Sequence, residues 1–246
     1  MQIHTRTFEV ALDNQGSTLA IKINEDPSLR TDNLTLETWG SSLILARQLH
    51  ALDLPPTAFV STSSSGPILE LGAGTGLAGL AAAAVWNTHV ILTDLSAIIT
   101  GLARNISLNQ DLLSLHNGSA SYGALDWSSP SSLSLHRNPG DEKEEIELKE
   151  ENKASIILAA DTVYDEAHPE LLANVIAKWL KRRGDSRVII AYPLRVAYLE
   201  EIRGLWEKFE DIGLVAVEEG KERMKVDDVK FDDEELHEWS VWKWKS

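Results

Sequence analysis

The sequence predicts an α/β fold with a seven-stranded, mostly parallel sheet, helices on both faces, an antiparallel C-terminal strand and a small N-terminal β-hairpin. Three observations predict this fold. From residue 67 onward, short apolar runs alternate with helical segments, which is the order that produces parallel strands. A glycine-rich turn, GAGTG at 72–76, follows the first of these runs. The segment HEWSVWKWKS at 237–246 carries large apolar side chains on both faces, as a strand inside a sheet does.

The other strands are predicted from six compact apolar runs, whose composition fits strands that are covered on both faces. They are residues 68–71, 89–94, 121–127, 155–161, 187–193 and 213–219, of which 121–127 has the weakest pattern. The connection from 219 to 238 is too short for a crossover helix with its loops. The last strand is therefore expected to return antiparallel.

Helices are predicted between these strands. Their expected ranges are 77–85, 96–109, 169–181 and 195–209, with Pro169 at a first turn, where proline is tolerated. Upstream, residues 36–52 are predicted to be helical because Leu43, Ala46, Arg47 and His50 follow helical spacing.

The first 37 residues are predicted to form an N-terminal extension. The runs RTFEVAL and STLAIKI flank DNQG at 13–16, which favours a β-hairpin. We expect one domain over residues 1–246, because a chain of 246 residues with 43% hydrophobic content can bury one large core.

Two segments concentrate acidic residues. Residues 128–153 are polar and then acidic, which predicts a partly mobile surface insertion. Residues 227–235 are predicted to be a solvated loop. The formal net charge of −15 argues against a nucleic-acid partner, because proteins that bind the phosphate backbone gain affinity by neutralising phosphates with Lys and Arg. A basic protein segment or a small molecule is the expected partner.

The chain contains no cysteine, which excludes disulfides and thiolate metal sites and suits a reducing compartment. No metal site is expected. The N-terminus lacks the apolar core of a signal peptide, and the apolar runs are too short to span a bilayer. We therefore expect a soluble protein of the cytoplasm, with the nucleus as a second compartment and no membrane partner.

The glycine turn indicates a class of cofactor. Gly72, Gly74 and Gly76 follow the spacing G-x-G-x-G, whereas a dinucleotide fingerprint requires a glycine at the position of Leu77. Three glycines in five residues cost backbone entropy, which disfavours a turn without a ligand. The compressed spacing, preceded by the acidic Glu70, is typical of S-adenosylmethionine sites, in which no pyrophosphate has to be accommodated. Glu70 is therefore expected to be one of the cofactor-binding residues.

Asp94 ends the strand that follows this turn in the chain. A carboxylate at this position can accept hydrogen bonds from both ribose hydroxyls, although NAD sites use an acidic residue in the same way. Asp94 could also cap the helix that is expected to begin near Ser96, and the two roles are compatible.

Five stretches carry motifs. They are TWGSSLILARQL at 38–49, ILELGAGTGLAGL at 68–80, VILTDL at 90–95, LDW at 125–127 and LAADTVYDEAHPELL at 158–172. With them, the chain resembles the seven-β-strand, Rossmann-like S-adenosylmethionine-dependent methyltransferases, and within these family 16, which contains many non-histone protein-lysine methyltransferases. The glycine motif indicates the superfamily, and the upstream Trp-Gly pair with the downstream Asp-x-x-Tyr motif makes the resemblance specific.

The resemblance implies which residues bind S-adenosylmethionine. Trp39 would lie over the cofactor, Asp94 would hold its ribose, and Trp127 would flank its adenine. A tryptophan offers a flat apolar wall for the adenine and a favourable face for the sulfonium cation. The remaining contacts would come from Gly72, Ala73 and Gly74 to the methionine portion, from Asp126 to the exocyclic amine, and from the backbone of Ala160.

Asp161 and Tyr164 follow a buried strand at the carboxyl edge of the predicted sheet, where open α/β folds bind ligands. The resemblance implies that they lie where the methyl group meets the substrate. We predict that Asp161 aligns the target nitrogen and that Tyr164 shapes its channel. Alternatively, Asp161 orders the loop before Pro169, and Tyr164 packs on the following helix. His168 is expected to be structural or to face solvent.

We therefore predict an S-adenosylmethionine-dependent N-methyltransferase that modifies a protein side-chain nitrogen, a lysine in a basic segment of a non-histone protein, and that acts as a monomer. Two alternatives are a small-molecule N-methyltransferase with the same cofactor site and a non-catalytic cofactor-binding scaffold. A nicotinamide-dependent oxidoreductase is a third, which Leu77 disfavours.

Overall fold

The computed structural model describes residues 4–31, 34–59, 66–138, 140–224 and 235–245. It contains an N-terminal three-stranded sheet and a nine-stranded sheet. In the smaller sheet, β1 (His4–Ala11) pairs antiparallel with β2 (Thr18–Thr31), which confirms the predicted hairpin. A short third strand, β3 (Leu34–Leu36), follows β2 and was not predicted.

The larger sheet contains all seven predicted strands. They are β4 (Ile68–Leu71), β5 (His89–Asp94), β6 (Ser119–Ala124), β9 (Ile156–Ala160), β10 (Arg187–Pro193), β11 (Leu214–Arg223) and β12 (Leu236–Trp244). Their order is β11-β12-β10-β9-β4-β5-β6, and the five strands from β10 to β6 are parallel.

The return of β12 into the sheet is confirmed. This strand pairs antiparallel with both β10 and β11. Trp239 and Val241 pack into the core on one face of the sheet, and Trp242 and Trp244 pack into the core on the other. Burial on both faces thus explains why the strand is apolar at both parities.

Residues 128–153, predicted to be a surface insertion, contain two strands that were not predicted. Two strands from this segment, β7 (Ser132–His136) and β8 (Glu144–Glu147), form an antiparallel hairpin that extends the sheet beyond β6. Leu133 and Leu135 alternate with polar residues along β7, and both are buried. The segment is therefore an ordered hairpin at the edge of the sheet, buried at Leu133 and Leu135 and exposed along its acidic residues. The second acidic run, 227–235, lies outside the described residues except for Glu235.

Six α-helices are found in the described part of the chain. They are α1 (Gly40–Gln48), α2 (Leu77–Val85), α3 (Ile99–Leu108), α4 (Gln110–Leu115), α5 (His168–Trp179) and α6 (Leu199–Asp211). Helix α2 is buried along almost its whole length because its side chains are small. Every helix in the described ranges is too short or too polar to cross a bilayer.

Asn105 in α3 and Asn109, the residue that directly follows α3, bind β2 to the rest of the fold. Asn109 accepts the backbone N–H of Lys22 at 2.9 Å and donates to its carbonyl at 2.7 Å. Asn105 forms the same pair of bonds with Asn24, at 2.8 and 3.2 Å, and also donates to the carbonyl of Thr75 at 2.9 Å. The small sheet is therefore tied, through α3, to the glycine turn.

Candidate functional site

A cavity of about 220 Å³ lies at the carboxyl edge of the parallel strands. Ten of the eleven predicted site residues line this cavity, although they come from five separate segments of the chain. They are Trp39, Gly72, Ala73, Gly74, Asp94, Asp126, Trp127, Ala160, Asp161 and Tyr164. The fold thus brings together the residues that the motifs identified.

The glycine turn between β4 and α2 requires glycine for its conformation. Gly72, Gly74 and Gly76 have φ angles of +61°, +54° and +82°, a region that favours glycine. A Cβ at Gly72 would also lie 3.2 Å from the ring of Trp127, whereas one at Gly74 would meet nothing within 4 Å. Trp127 therefore packs against the turn at Gly72, and the backbone at Gly74 is open.

Asp94 holds this turn from the neighbouring strand. Its Oδ2 accepts the N–H of Gly74 at 2.7 Å, and its Oδ1 accepts the N–H of Leu95 at 2.7 Å. Burial raises the pKa of Asp94, and the two N–H donors oppose this shift. The helix-cap alternative is wrong, because α3 begins at Ile99 and its N-cap residue, Ile98, makes no capping bond through a side chain.

Glu70 lies behind the turn, outside the cavity lining. Its side chain is buried, and Oε2 accepts the N–H of Gly79 in α2 at 3.1 Å. A Cβ at position 79 would collide with this carboxylate. Burial raises the pKa of Glu70 to about 8, the Gly79 N–H opposes the shift, and the charge of Asp94 adds to it. The structure therefore places the Glu70 carboxyl against α2 and not among the residues that line the cavity.

Trp39 is positioned by the residue before it. Glu25 in β2 accepts the backbone N–H of Thr38 at 3.0 Å, and the hydroxyls of Thr38 and Thr75 are 3.1 Å apart. These two contacts connect the segment before α1 to the N-terminal sheet and to the glycine turn. The backbone directly before Trp39 is thus held by one contact to the N-terminal sheet and one to the glycine turn.

Asp161 is paired with a residue that the sequence analysis missed. Its carboxylate accepts two bonds from the guanidinium of Arg195, at 3.0 and 3.2 Å. The guanidinium also lies 5.4 Å from the centre of the Trp39 ring. Asp161 has a φ of +56°, and its backbone N–H donates to Ala191 of β10 at 2.9 Å. One feature of the sequence could have indicated this pairing. Arg195 follows β10 closely, just as Asp161 follows β9, and the two strands are neighbours in the sheet.

Tyr164 and Trp127 are linked through His168, the first residue of α5. The His168 ring lies 4.3 Å from the Tyr164 ring and 6.0 Å from the Trp127 ring, edge-on to both. Burial lowers the pKa of His168, which favours the neutral ring, although the charge of Asp165 opposes the shift. His168 also lines the cavity, which the sequence analysis did not anticipate.

A family model described as lysine methyltransferase matches residues 16–202 of the chain. Over 209 residues, the chain is 36% identical to "Protein-lysine N-methyltransferase EFM2" of Saccharomyces cerevisiae, with 79% of this chain and 45% of that protein covered. It is 32% identical to "Protein-lysine N-methyltransferase rrg1" of Schizosaccharomyces pombe, with 98% and 71% covered. The chain therefore spans about half the length of the first relative and most of the second.

Two solved structures share the fold at low identity. The TYW2 protein of M. jannaschii, in complex with AdoMet, has a TM-score of 0.50 and 14% identity, with 92% of this chain and 83% of that chain covered. An O-methyltransferase family 2 protein from Planctomyces limnophilus, in complex with apigenin, has a TM-score of 0.51 and 15% identity, with 84% and 58% covered. These similarities concern the arrangement of strands and helices.

The buried carboxyl of Glu70 makes stability depend on pH. Its pKa is about 8 in the folded chain and 4.5 in the reference state, so the folded protein keeps a proton that the unfolded chain releases. The free energy of unfolding should therefore fall as the pH rises from about 5 to about 8, by at most about 1.4 kcal/mol per pH unit from this group. Urea unfolding of wild type and Glu70→Gln at several pH values measures this contribution.

Glutamine keeps an oxygen that accepts the Gly79 N–H, so the variant should gain stability over wild type as the pH rises. Glu219→Gln changes an exposed carboxyl on β11 and serves as the control, for which no such trend is expected. If the curves for wild type and Glu70→Gln run parallel across this pH range, Glu70 does not carry the proton.

Proposed function

This chain belongs to the lysine methyltransferase family, and from that premise we propose that it transfers a methyl group from S-adenosylmethionine to a lysine side chain of a protein. The observation that carries the proposal is the convergence of the glycine turn, Asp94, Trp127 and Asp161 on one cavity. Positions beside the strand ends are where open α/β sheets bind ligands.

The residues of the cavity fit S-adenosylmethionine. The open backbone at Gly74 leaves room for the amino-acid end of the cofactor, and Trp127, which packs against Gly72, offers a flat wall for the adenine. The carboxylate of Asp94 is suited to the ribose hydroxyls. When bound, S-adenosylmethionine supplies a methyl group on its sulfonium sulfur. The bond between this sulfur and the methyl carbon breaks as the lysine nitrogen forms the new N–C bond, and the sulfur leaves as a neutral thioether.

The chain's own residues would position the lysine and keep water out, which is the main requirement of an in-line displacement. The lysine must first lose its proton, which costs about 4.6 kcal/mol at pH 7 from a reference pKa of 10.4. A desolvated channel lowers this cost, because burial disfavours the ammonium. We propose that Asp161 aligns the nitrogen and that Tyr164, with its neighbour His168, forms the channel wall.

The acidic groups of the cavity region support a basic target segment. Glu37 and Asp126 line the cavity, and Asp165 and Glu166 are exposed directly after Tyr164. A lysine flanked by other basic residues would be attracted to this surface. We propose further that the protein acts as a monomer in the cytoplasm and in the nucleus. The absence of cysteine from the sequence supports a reducing compartment.

The function is tested by incubating the protein with S-adenosylmethionine labelled in its methyl group and with a cell lysate. Label in a protein band that maps to a lysine by mass spectrometry supports the proposal. Label confined to the low-mass fraction would instead indicate a small-molecule methyltransferase. Tight cofactor binding with no transfer would indicate a scaffold, and a parallel titration with NAD tests the oxidoreductase alternative.

Replacement of Trp127 by alanine should weaken cofactor binding. Stacking of a base on an aromatic side chain contributes about 1–3 kcal/mol, so the Kd for S-adenosylmethionine should rise by about 5- to 150-fold in calorimetric titrations. Trp86→Ala is the control, since Trp86 packs against Phe59 and does not line this cavity. Equal Kd values for Trp127→Ala and wild type would contradict the assignment.

The KM for the protein substrate should depend on ionic strength. If a basic segment binds the acidic surface, the KM for the protein substrate should rise about threefold or more between 50 and 300 mM NaCl, because salt screens exposed charges. Initial rates at saturating S-adenosylmethionine measure this KM. Arg203→Met and Glu207→Gln change exposed charges on α6 and serve as controls, in which the KM should depend on salt as it does in wild type. A KM that is independent of salt would exclude the basic segment.

A further inference from the structure

Arg195 joins two walls of the cavity. It follows β10 and Asp161 follows β9, and these strands are parallel neighbours in the register Ala160 to Ala191. Both side chains are nearly buried, with exposed fractions of 4% for Asp161 and 12% for Arg195. Because the guanidinium also lies against Trp39, one side chain contacts the loop after β9 and the residue before α1.

The geometry of this contact requires a guanidinium. Its planar fork donates to both carboxylate oxygens, at 3.0 and 3.2 Å, while its face lies 5.4 Å from the indole centre. A lysine at position 195 would place a point charge near Asp161 but could not donate in this paired way. The carboxylate of Asp161 is therefore held in one orientation, although its backbone has a positive φ.

The pairing also changes the electrostatics of the cavity. An unpaired carboxylate next to a target lysine favours the ammonium form, which has no lone pair to accept a methyl group. The charge of Arg195 cancels that of Asp161, so the pair offers an oxygen acceptor without a net negative charge. The other titratable residues that line the cavity are Glu37, Asp94, Asp126, Tyr164 and His168.

We propose that Arg195 is a positioning residue for methyl transfer: it fixes the carboxylate of Asp161 and cancels its charge, so that the target lysine reacts as the neutral amine. The inference rests on the proposed function. It assigns Arg195 no contact with the reacting atoms, because Arg195 acts through Asp161. Its effect must therefore depend on whether residue 161 carries a charge.

The test measures kcat between pH 6.5 and 10 for Arg195→Met, Asp161→Asn and the double variant. The substrate is the purified protein whose lysine carries the label in the lysate experiment. In Arg195→Met, we expect the apparent pKa of kcat to rise by about one unit, which lowers kcat about tenfold at pH 7.5 and less at pH 10. In the double variant, the apparent pKa should return to the wild-type value, because the uncancelled charge is gone.

Two further variants separate a positioning role of Arg195 from a general loss of structure. Arg195→Lys keeps the charge and loses the fork, so it should keep the wild-type apparent pKa with a reduced kcat. Arg203→Met removes a guanidinium that pairs with Glu200 on the exposed surface of α6, so it should behave as wild type. Thermal unfolding and calorimetric binding of S-adenosylmethionine establish that each variant is folded.

The outcomes are distinct. A uniform loss of kcat at every pH in Arg195→Met, or a double variant that is not restored, would overturn the inference and leave Arg195 as a structural residue. If Arg195→Met does not fold, the double variant, which removes both charges of this pair, is compared with wild type and with Asp161→Asn. An apparent pKa that equals the wild-type value in the double variant and is lower in Asp161→Asn, where the charge of Arg195 is left uncancelled, supports the inference, whereas any other order overturns it. Failure of the wild-type protein to label any lysine would overturn the proposed function itself.

Discussion

The N–H of Gly74 donates to Asp94 over 2.7 Å, and this bond sets the shape of the cavity. It joins the turn after β4 to the end of β5, so that two neighbouring strands present one surface to a ligand. The left-handed backbone at Gly72, Gly74 and Gly76 permits the bond, and Glu70 supports α2 from behind. The remaining elements of the site are attached to this turn.

The N-terminal sheet lies far from the turn in sequence but is coupled to it by buried polar side chains. Asn105 bonds to Asn24 in β2 and to Thr75 in the turn, and Glu25 bonds to the residue before Trp39. Buried hydrogen bonds of this kind are costly to leave unmade, so they fix orientation as well as contribute stability. The position of Trp39 over the cavity thus depends on residues in β2.

The sequence predicted the strands well because the central ones are buried on both faces, which gives compact apolar runs such as ILEL and RVIIAYP. The hairpin of β7 and β8 was missed because its pattern is short and one of its strands is mostly glutamate. Ten of the eleven site residues that the motifs predicted line the cavity. The motifs did not identify Arg195, which lies 34 residues from its partner Asp161 along the chain. Such a pairing depends on the order of strands in the sheet, which periodicity does not encode.

The place of β12 has a consequence for how the chain folds during synthesis. It lies between β10 and β11, although it follows both in sequence, and it is the strand partner of β11. Until residue 244 has been synthesised, the outer edge of β10 has no neighbour and β11 has no strand to pair with. Completion of the sheet must then wait for non-local pairing, which is slow and leaves apolar strand edges open to aggregation.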